Sequence, residues 1–369
     1  MNRRRANDVP VRRRLKGLVL AGGKGSRLRP LTATGAKQLV PIANKPVLFF
    51  ALEQLVEAGI TDICIIVGDT ADQVRASVGD GEQFGASITY IPQIAPLGLA
   101  HAVVTARDWL GDDPFCMFLG DNFLRCGIAP YVEMFARAER PAMILLKEVE
   151  QPSAFGVAVV DGNGRVSRLV EKPTEPISNL AIVGVYFFGP EIHEITASQQ
   201  PSARGELEIT DAVQGLIDAG HEVQAAAIAD DWIDTGKKDD VLEANRLVLT
   251  TLKRDIAGNA DADSSLVGEV VLGAGASVVH STIRGPSIIG PGARIVDAYV
   301  GPFTAIGPDC EITACEIEQS IVLERTVIRN VGARIADSLI GRDVTIEDSR
   351  QKPHVVRFMI GDHSVVDLA

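Results

Sequence analysis

The pattern of hydrophobic positions changes once along the chain, near residue 265, and predicts two kinds of architecture. Before that point, short and nearly continuous apolar runs alternate with amphipathic stretches. Helices are predicted at 47–58 and 99–110, because Gly59 and Gly111 follow them as stop signals. The apolar runs are typical of strands covered on both faces, and they lie at residues 18–20, 63–67, 115–119 and 142–146. The alternation favours a doubly wound, mostly parallel α/β sheet, on which ligands bind beyond the carboxyl ends of the strands.

Beyond residue 265, large aliphatic residues recur at steps of five or six positions. They are Ile283, Ile289, Ile295, Val300, Ile306, Ile312, Ile317 and Leu323, with Ile340 continuing one series. Equivalent members are 17 positions apart, which indicates three short faces per turn, each placing one aliphatic side chain inward. This is the signature of a parallel β-coil solenoid. An antiparallel sandwich is the alternative, although it does not explain the fixed steps. The spacing resembles the hexapeptide left-handed β-helix.

The two patterns and the polar stretches around them predict five segments. The α/β domain is expected over residues 14–250 and the left-handed β-helix over 266–350. The remaining segments are a basic mobile tail over 1–13, a linker over 251–265 and a C-terminal tail or cap over 351–369. The polar residues 259–264 mark the linker.

Composition limits the classes of partner. The formal net charge of −12 argues against nucleic acid as a generic partner. No stretch approaches the roughly 18 uninterrupted apolar residues of a membrane span, and no apolar segment follows the basic start to complete a targeting signal. The 5 cysteines show no C-x-x-C spacing, which favours reduced thiols and a cytoplasmic protein.

The glycine-rich segment at residues 20–30 follows the first predicted strand directly. Its glycines allow backbone N–H groups to converge on an anion, and Arg27 adds a planar donor suited to phosphate oxygens. The segment is neither a P-loop nor a dinucleotide fingerprint, because Ser26 and Leu28 occupy the wrong positions. It is interpreted as a polyphosphate-binding loop, with a simple tight turn as the alternative.

Two acids follow other apolar segments and could hold a divalent metal ion. Asp121 comes after the run ending at Leu119, and Asp234 lies just before Gly236. Either acid could instead be an ordinary turn or cap residue. Together with Arg27 and Lys37, they would form a ring of opposite charges around a magnesium-bound triphosphate.

The dipeptide Glu171-Lys172 precedes Pro173, which ends a predicted strand. Lys172 could reach a second phosphate while Glu171 accepts hydrogen bonds from sugar hydroxyls. A solvated charge pair is the alternative. The acids within residues 201–215 are interpreted as capping and packing charges at the start of a helix.

The ordered set of these segments resembles the glucose-1-phosphate thymidylyltransferases over nearly the whole chain after residue 15. The appended coil is similar to the long form of that family. The resemblance rests on residues 20–28, 37–39, 93 with 98–100, 119–122, 171–173, 201–211 and 232–236.

The resemblance implies that dTTP and glucose 1-phosphate react to give dTDP-glucose and pyrophosphate, with Mg²⁺ as the cofactor. It implies a nucleotide site of Gly22, Gly23, Gly25, Ser26, Arg27, Gln38, Gln93, Gly98 and Asp121. For the sugar phosphate, it implies Asn122, Gly156, Glu171, Lys172 and Ile182. The implied catalytic residues are Arg27, Lys37, Asp121, Lys172 and Asp234, with Asp121 and Asp234 holding the metal.

Two departures from the family pattern bear on the site. Ile182-Val183 stands where short-form members carry Val-Thr, which leaves that edge of the sugar pocket open to question. The residues just before Lys37, Thr34-Gly35-Ala36, are small, where bulkier residues are expected.

Other functions remain open from the residues alone. The chain could transfer another nucleotide, such as a uridylyl group, to a different sugar 1-phosphate, with or without acetyl transfer in the coil. It could also be a non-catalytic regulatory subunit of the same fold. The five charged residues of the implied catalytic set favour an enzyme, and the solenoid favours a homo-oligomer. Neither nucleic acid nor a membrane is expected as a partner.

Overall fold

The structure, a computed structural model, describes residues 14–348 apart from Lys24, Glu139 and Pro176, together with residues 360–367. The predicted tail over 1–13 and most of the predicted segment over 351–369 lie outside the described residues. Within the part of the chain that is described, no helix has the length and apolar character needed to cross a bilayer.

Strands and helices alternate before residue 250. The helices are α1 Val47–Glu57, α2 Ala71–Val78, α3 Leu99–Thr105, α4 Arg107–Leu110, α5 Ala129–Ala138, α6 Ile192–Ser198, α7 Ile209–Asp218 and α8 Lys238–Leu249. The strands are β1 Lys16–Ala21, β2 Pro41–Ile42, β3 Lys45–Pro46, β4 Asp62–Val67, β5 Ser87–Pro92, β6 Phe115–Leu119, β7 Asn122–Leu124, β8 Ala142–Glu148, β9 Gly156–Val160, β10 Val166–Glu171, β11 Leu180–Phe188, β12 Val223–Ala227 and β13 Trp232–Asp234.

One predicted helix differs from the structure. The pattern over 99–110 predicts a continuous helix, whereas the structure breaks it into α3 and α4 at Ala106, whose backbone leaves the helical region with ψ near 1°. Ala106 is fully buried, so the apolar periodicity continues across the break and does not reveal it.

The strands before residue 250 form a sheet of nine described strands in the order β10-β9-β11-β6-β1-β4-β5, with β8 beside β11 and β12 beside β8. Strand β1 pairs in parallel with β4 and β6, and β12 pairs in parallel with β8. Strand β11 runs antiparallel to β6, β8 and β9. The predicted α/β fold is confirmed, with an antiparallel strand inserted at its centre.

Neighbouring strands β1 and β6 end at the same edge of this sheet. Their registers place Leu18 opposite Cys64 and Met117, and all three side chains are fully buried in the core. At the carboxyl edge, the Gly120 amide donates to the Leu20 carbonyl oxygen at 3.0 Å. The chain therefore leaves the sheet at adjacent points after β1 and after β6, as the predicted site requires.

The C-terminal region is a parallel β-helix, as predicted. Its strands are β14 Asp255–Ile256, β15 Asn259–Ala260, β16 Ser265–Val267, β17 Val270–Leu272, β18 Ser277–Val279, β19 Thr282–Arg284, β20 Ser287–Ile289, β21 Arg294–Val296, β22 Tyr299–Val300, β23 Thr304–Ile306, β24 Glu311–Thr313, β25 Glu316–Ile317, β26 Ile321–Val322, β27 Val327–Arg329, β28 Leu339–Ile340 and β29 Thr345–Glu347. They form three parallel sheets, which start at β14, β15 and β16. The short parallel strands agree with the left-handed β-helix expected from the sequence.

Two details of the coil correct the sequence interpretation. Strands β14 to β16 already form its first turn, so the coil begins inside the stretch expected to be a linker, where small and polar residues hide the repeat. In addition, Ile306 pairs with Val322, not Leu323, and Val322 pairs with Ile340. This turn is therefore one residue shorter than the 17-residue repeat and the next turn is one residue longer. Because Val322 and Leu323 are both apolar, the pattern could not choose between them.

The chain forms two compact units. The first comprises the described residues of 1–22, 51–120 and 124–232, and the second those of 23–50, 121–123 and 233–369. In the second unit, Leu323 packs in an apolar cluster with residues of α8 and of the segment 28–47. Asn245 of α8 is fully buried there, accepting from the Ala43 amide at 2.8 Å and donating to the Phe303 carbonyl at 3.1 Å.

Candidate active site

The glycine-rich loop is held by close contacts within the second unit. Gly25 adopts φ of 59°, the left-handed region that favours glycine, just before a short 3-10 helix over Ser26–Leu28. A Cβ on Gly25 would lie 2.8 Å from the Cβ of Lys37 and 3.0 Å from a Thr32 methyl group. The Thr32 hydroxyl donates to the Gly25 carbonyl at 2.6 Å. Gly25 therefore allows Lys37 to pack directly beneath the loop.

Arg27, Lys37, Asp121 and Asp234, which we call the charged cluster, lie together in the second unit. The Lys37 ammonium donates to the Asp121 carboxylate, and its Nζ lies 3.6 Å from Asp234 Oδ1. Nη2 of Arg27 lies 3.7 Å from Asp234 Oδ2. The structure thus brings together two cations and two acids that are separated by up to about two hundred positions in the sequence.

Backbone contacts fix the two acids relative to each other. The amide and the hydroxyl of Thr235 both donate to the Asp121 carbonyl, at 3.1 and 2.7 Å. Asn122 is buried and donates its side-chain amide to Asp121 Oδ1 at 3.0 Å. Asn122, which the resemblance assigned to the sugar phosphate, therefore orients an acid of the charged cluster.

The charges of the cluster shift one another's pKa. Burial would lower the pKa of Lys37, but the carboxylates of Asp121 and Asp234 outweigh it and raise that pKa above its ordinary value. Burial would raise the pKa of Asp121, but the bonded Lys37 ammonium lowers it. For Asp234, burial and repulsion from the Asp121 carboxylate raise the pKa, despite Lys37 and Arg27. Asp234 is therefore an acid whose negative charge is incompletely compensated.

The charged cluster fits a divalent cation. Carboxylate oxygens are the ligands that Mg²⁺ prefers, and it commonly takes one or two of them together with substrate phosphates. The two acids also lie close enough to share one cation, since the Lys37 ammonium donates to Asp121 and its Nζ lies 3.6 Å from Asp234 Oδ1. A metal ion held by both carboxylates would relieve their mutual repulsion.

Gln38 is a buried residue of the second unit, placed beside the loop. Its side-chain nitrogen lies 3.4 Å from the position of a Cβ on Gly23. Its Oε1 has no hydrogen-bond partner among the described residues, although it is buried. A buried carbonyl oxygen without a donor is costly, so Oε1 of Gln38 is an unused acceptor beside the loop.

Gln93 and Gly98 lie together in the first unit, close to Gly22 at the end of β1. Oε1 of Gln93 lies 3.6 Å from the position of a Cβ on Gly22, while its Nε2 donates to the Gly98 carbonyl at 3.2 Å. Gly98 has φ of 107°, and a Cβ there would lie 2.4 Å from the Leu207 carbonyl oxygen. The three predicted nucleotide residues of this unit are thus neighbours.

The predicted sugar residues also meet in the first unit. A Cβ on Gly156 would lie 3.1 Å from both Glu171 Oε2 and Ile182 Cδ1. Lys172, about half exposed, has its Nζ 3.3 Å from Glu171 Oε1. Its backbone adopts φ of 43°, a conformation in which few non-glycine residues are found.

Two further residues contact Glu171 in this group of predicted sugar-binding residues, and the sequence pattern did not indicate them. Nη1 of Arg204 donates to Glu171 Oε1 at 3.2 Å, and the Thr210 hydroxyl to Oε2 at 3.4 Å. Both come from the segment 201–211, whose acids had been interpreted as capping charges. The Glu208 carboxylate does not cap α7; it accepts from Ser202 and pairs with Arg204. No local feature of the sequence links Arg204 to Glu171, because the two residues are 33 positions apart.

Comparison with known proteins identifies relatives over both regions. The family model described as nucleotidyl transferase matches residues 16–251. A glucose-1-phosphate thymidylyltransferase of Streptomyces antibioticus is 54% identical over 355 residues, covering 96% of this chain and 99% of the relative. Another, from Streptomyces griseus, is 52% identical over 350 residues, covering 95% and 98%. Both alignments extend through the coil.

A solved structure is similar to the α/β region. It is a Bacillus anthracis protein described as a glucose-1-phosphate thymidylyltransferase, in complex with sucrose. The TM-score is 0.60 at 37% sequence identity, with 63% of this chain and 94% of that chain covered.

Proposed function

Because this chain belongs to the nucleotidyl transferase family, we propose that it makes dTDP-glucose and pyrophosphate from dTTP and glucose 1-phosphate. The enzyme names of two relatives, each more than half identical over nearly the full chain, support this choice of substrates. We further propose that residues 14–250 carry the reaction and that the product enters deoxysugar synthesis.

The charged cluster is the observation that carries the proposal. It offers Arg27 and Lys37 to phosphate oxygens and the acids Asp121 and Asp234 to a metal, in the same unit as the glycine-rich loop. Direct nucleotidyl transfer needs this combination, because the chemistry depends on positioning and charge neutralisation more than on an enzyme nucleophile.

In the proposed reaction, a phosphate oxygen of glucose 1-phosphate attacks the α-phosphorus of dTTP. The new O–P bond forms in line with the bond to the β-phosphate, which breaks, and pyrophosphate leaves with that electron pair. The sugar phosphate is already ionised at neutral pH, so no side chain has to remove a proton. Arg27 and the loop from Gly22 to Ser26 hold the triphosphate and stabilise the leaving pyrophosphate, while Lys37 neutralises charge around the reacting phosphates.

Asp121 and Asp234 would hold Mg²⁺. Bound there, the ion would neutralise charge on the triphosphate and polarise the phosphoryl group whose phosphorus is attacked. The Lys37 ammonium keeps Asp121 ionised, and Asn122 fixes the orientation of that carboxylate.

The remaining predicted residues have recognition roles in this proposal. Gln38, Gln93 and Gly98 face the nucleoside. Gly156, Glu171 and Ile182 line the glucose site, and Lys172 places the sugar phosphate. Gln93 with Gly98, and Gly156 with Glu171, Lys172 and Ile182, form two groups within the first unit, which supports these roles. The support for Gln38 is its place beside Gly23 in the second unit.

We also propose a cytoplasmic homo-oligomer in which the coil supports assembly, since solenoid faces and ends offer repeated surfaces. Light scattering after size exclusion measures the mass directly. A particle of 39.3 kDa at micromolar concentration would contradict the oligomer.

Pyrophosphate release tests the function. Each common nucleoside triphosphate is paired with a panel of sugar 1-phosphates in the presence of Mg²⁺, and products are identified by mass. We expect the highest kcat/KM for dTTP with glucose 1-phosphate. Higher turnover of another pair, or none with any pair, would overturn the proposal.

A further inference from the structure

We propose that His101 is a positioning residue for base selection. It fixes the side-chain amide of Gln93 so that Oε1 faces the base and accepts from a ring N–H. The inference rests on the proposed function, since it concerns how that nucleotide site would distinguish thymine from cytosine.

The Gln93 amide has two fixed partners in the first unit. Its backbone N–H donates to the Val67 carbonyl at 2.8 Å, which anchors the residue to the sheet. Its Nε2 lies 3.2 Å from the Gly98 carbonyl oxygen and 2.9 Å from Nδ1 of His101. A carbonyl oxygen can only accept, so the amide nitrogen of Gln93 must face Gly98.

The Gly98 carbonyl is itself held in place. The Leu207 amide donates to the Leu97 carbonyl at 2.7 Å, and the Ala100 amide donates to the Leu207 carbonyl at 3.0 Å. Gly98 thus sits between two bonds to a single residue, with no room for a Cβ. The Gly98 carbonyl is therefore fixed in direction. It disfavours the rotated form of the Gln93 amide, in which Oε1 would face the carbonyl oxygen.

His101 supplies the second acceptor. The Thr105 hydroxyl lies 3.4 Å from Nδ1, but it donates its hydrogen to the His101 carbonyl at 2.8 Å. The Nδ1 lone pair is therefore left to the second hydrogen of the Gln93 amide, which places the ring proton of neutral His101 on Nε2. With both amide hydrogens engaged, the Gln93 side chain offers only its oxygen to a ligand.

This orientation has a consequence for the base. Thymine and uracil carry a hydrogen on N3, which can donate to Oε1, whereas cytosine carries a lone pair at N3. With cytosine, the lone pair of N3 would face a lone pair of Oε1, and both acceptors would stay unpaired. Binding sites discriminate strongly against a ligand that leaves such polar groups unpaired. Without His101, the Gly98 carbonyl alone would oppose rotation of the Gln93 amide, so the rotated form, whose NH₂ can face cytosine N3, would be less disfavoured.

Steady-state kinetics of a His101→Leu variant test the inference, with dTTP, dUTP and dCTP each measured at saturating glucose 1-phosphate. We expect kcat/KM for dTTP and dUTP to fall together by about tenfold, mainly through KM, as for one lost hydrogen bond. For dCTP, kcat/KM, or its affinity as a competitive inhibitor, should stay level or improve. The ratio of kcat/KM for dTTP to the same quantity for dCTP should therefore fall at least tenfold. A His101→Asn variant, whose Oδ1 can replace the Nδ1 acceptor, should recover most of the selectivity.

Val104→Ala, which shortens an exposed side chain on the same helix, is the matched control and should keep the wild-type ratio. An equal loss with all three triphosphates, or an unchanged ratio in His101→Leu, would overturn the role. If His101→Leu fails to fold, His101→Phe keeps a ring without nitrogen and serves in its place. Failure of the proposed function is a separate outcome, because wild-type protein would then not turn over dTTP at all.

Discussion

The guanidinium of Arg27 packs directly against the Cα of Gly236, since a Cβ at Gly236 would lie 2.6 Å from Nη2 of Arg27. Gly236 does not have a positive φ, so alanine would fit its backbone conformation. The clash would be with the end of a flexible side chain, which can move. The contact thus links the turn after Asp234 to the position of the Arg27 guanidinium, which we propose binds phosphate.

Gly236→Ala should therefore impair activity without unfolding the protein. We expect kcat/KM for the triphosphate to fall about ten- to a hundredfold, which is less than the roughly hundred- to thousandfold loss when such a donor is removed, because Arg27 is only displaced. The melting temperature should stay within a few degrees of wild type. The control is Gly332→Ala in the same unit, where a new Cβ would meet no atom within 4 Å. Unchanged kinetics in Gly236→Ala would show that the placement of Arg27 does not matter.

Asp121→Asn and Asp234→Asn should each reduce kcat by about a hundredfold or more, because each removes a charged ligand of the proposed metal site. Titration of activity with Mg²⁺ should show midpoints at higher metal concentration for both variants. Asp239→Asn, which changes an acid that is 86% exposed, should behave as wild type. Normal turnover of either site variant at saturating Mg²⁺ would refute the metal assignment.

His193 should make the protein less stable at acidic pH. Burial, aided by the nearby Arg107 guanidinium, lowers the pKa of His193 below its ordinary value of 6.5. As pH falls below that value, the unfolded chain binds a proton that the folded protein does not, so stability falls until the folded pKa is passed. One such proton contributes at most about 1.4 kcal/mol per pH unit.

Urea denaturation at several pH values between 8 and 5 measures this effect. The His193→Phe variant keeps a ring packed on Phe115, whose centroid is 5.9 Å away, and should lose this part of the pH dependence. The difference between the two proteins cancels the contribution of all other groups. Parallel stability curves would mean that His193 titrates equally in both states.

Asn245→Leu should destabilise the second unit by about 2–4 kcal/mol. The replacement leaves the buried Ala43 amide and the partly buried Phe303 carbonyl without their partner, and an unpaired buried group costs about 1–3 kcal/mol. The free energy of unfolding from urea titration is the measurement. Glu243→Gln, on an exposed part of the same helix, should change it by less than about 0.5 kcal/mol, and an equally small effect at Asn245 would contradict the bridging role.

The strands and coils with a regular hydrophobic pattern could be predicted from the sequence, and the ends of several strands were predicted closely. The strands at 63–67 and 115–119 are covered on both faces, so their apolar runs are continuous and stand out from the flanking sequence. The sequence did not predict two details: the helix break at Ala106, and that Val322, not Leu323, faces the coil core. In both cases, alternative conformations bury the same apolar residues, and the difference lies in packing against distant segments.

In the candidate site, too, some residues could be predicted from the sequence and others could not. The residue types of the glycine-rich loop and of Lys37, Asp121 and Asp234 carry enough chemistry to indicate phosphate and metal binding. Arg204 was missed because its importance depends on the approach to Glu171, 33 positions away in sequence. Such a pairing has no local signal.

The sequence by itself determined the two architectures and the kinds of chemical group available, because strand burial and coil spacing are periodic and local. Only the tertiary structure decided which groups meet: Lys37 with two acids, Gly236 with Arg27, and His101 with the Gln93 amide. These contacts depend on close packing and on which lone pairs and hydrogens are already engaged, and both are properties of segments brought together from distant parts of the chain.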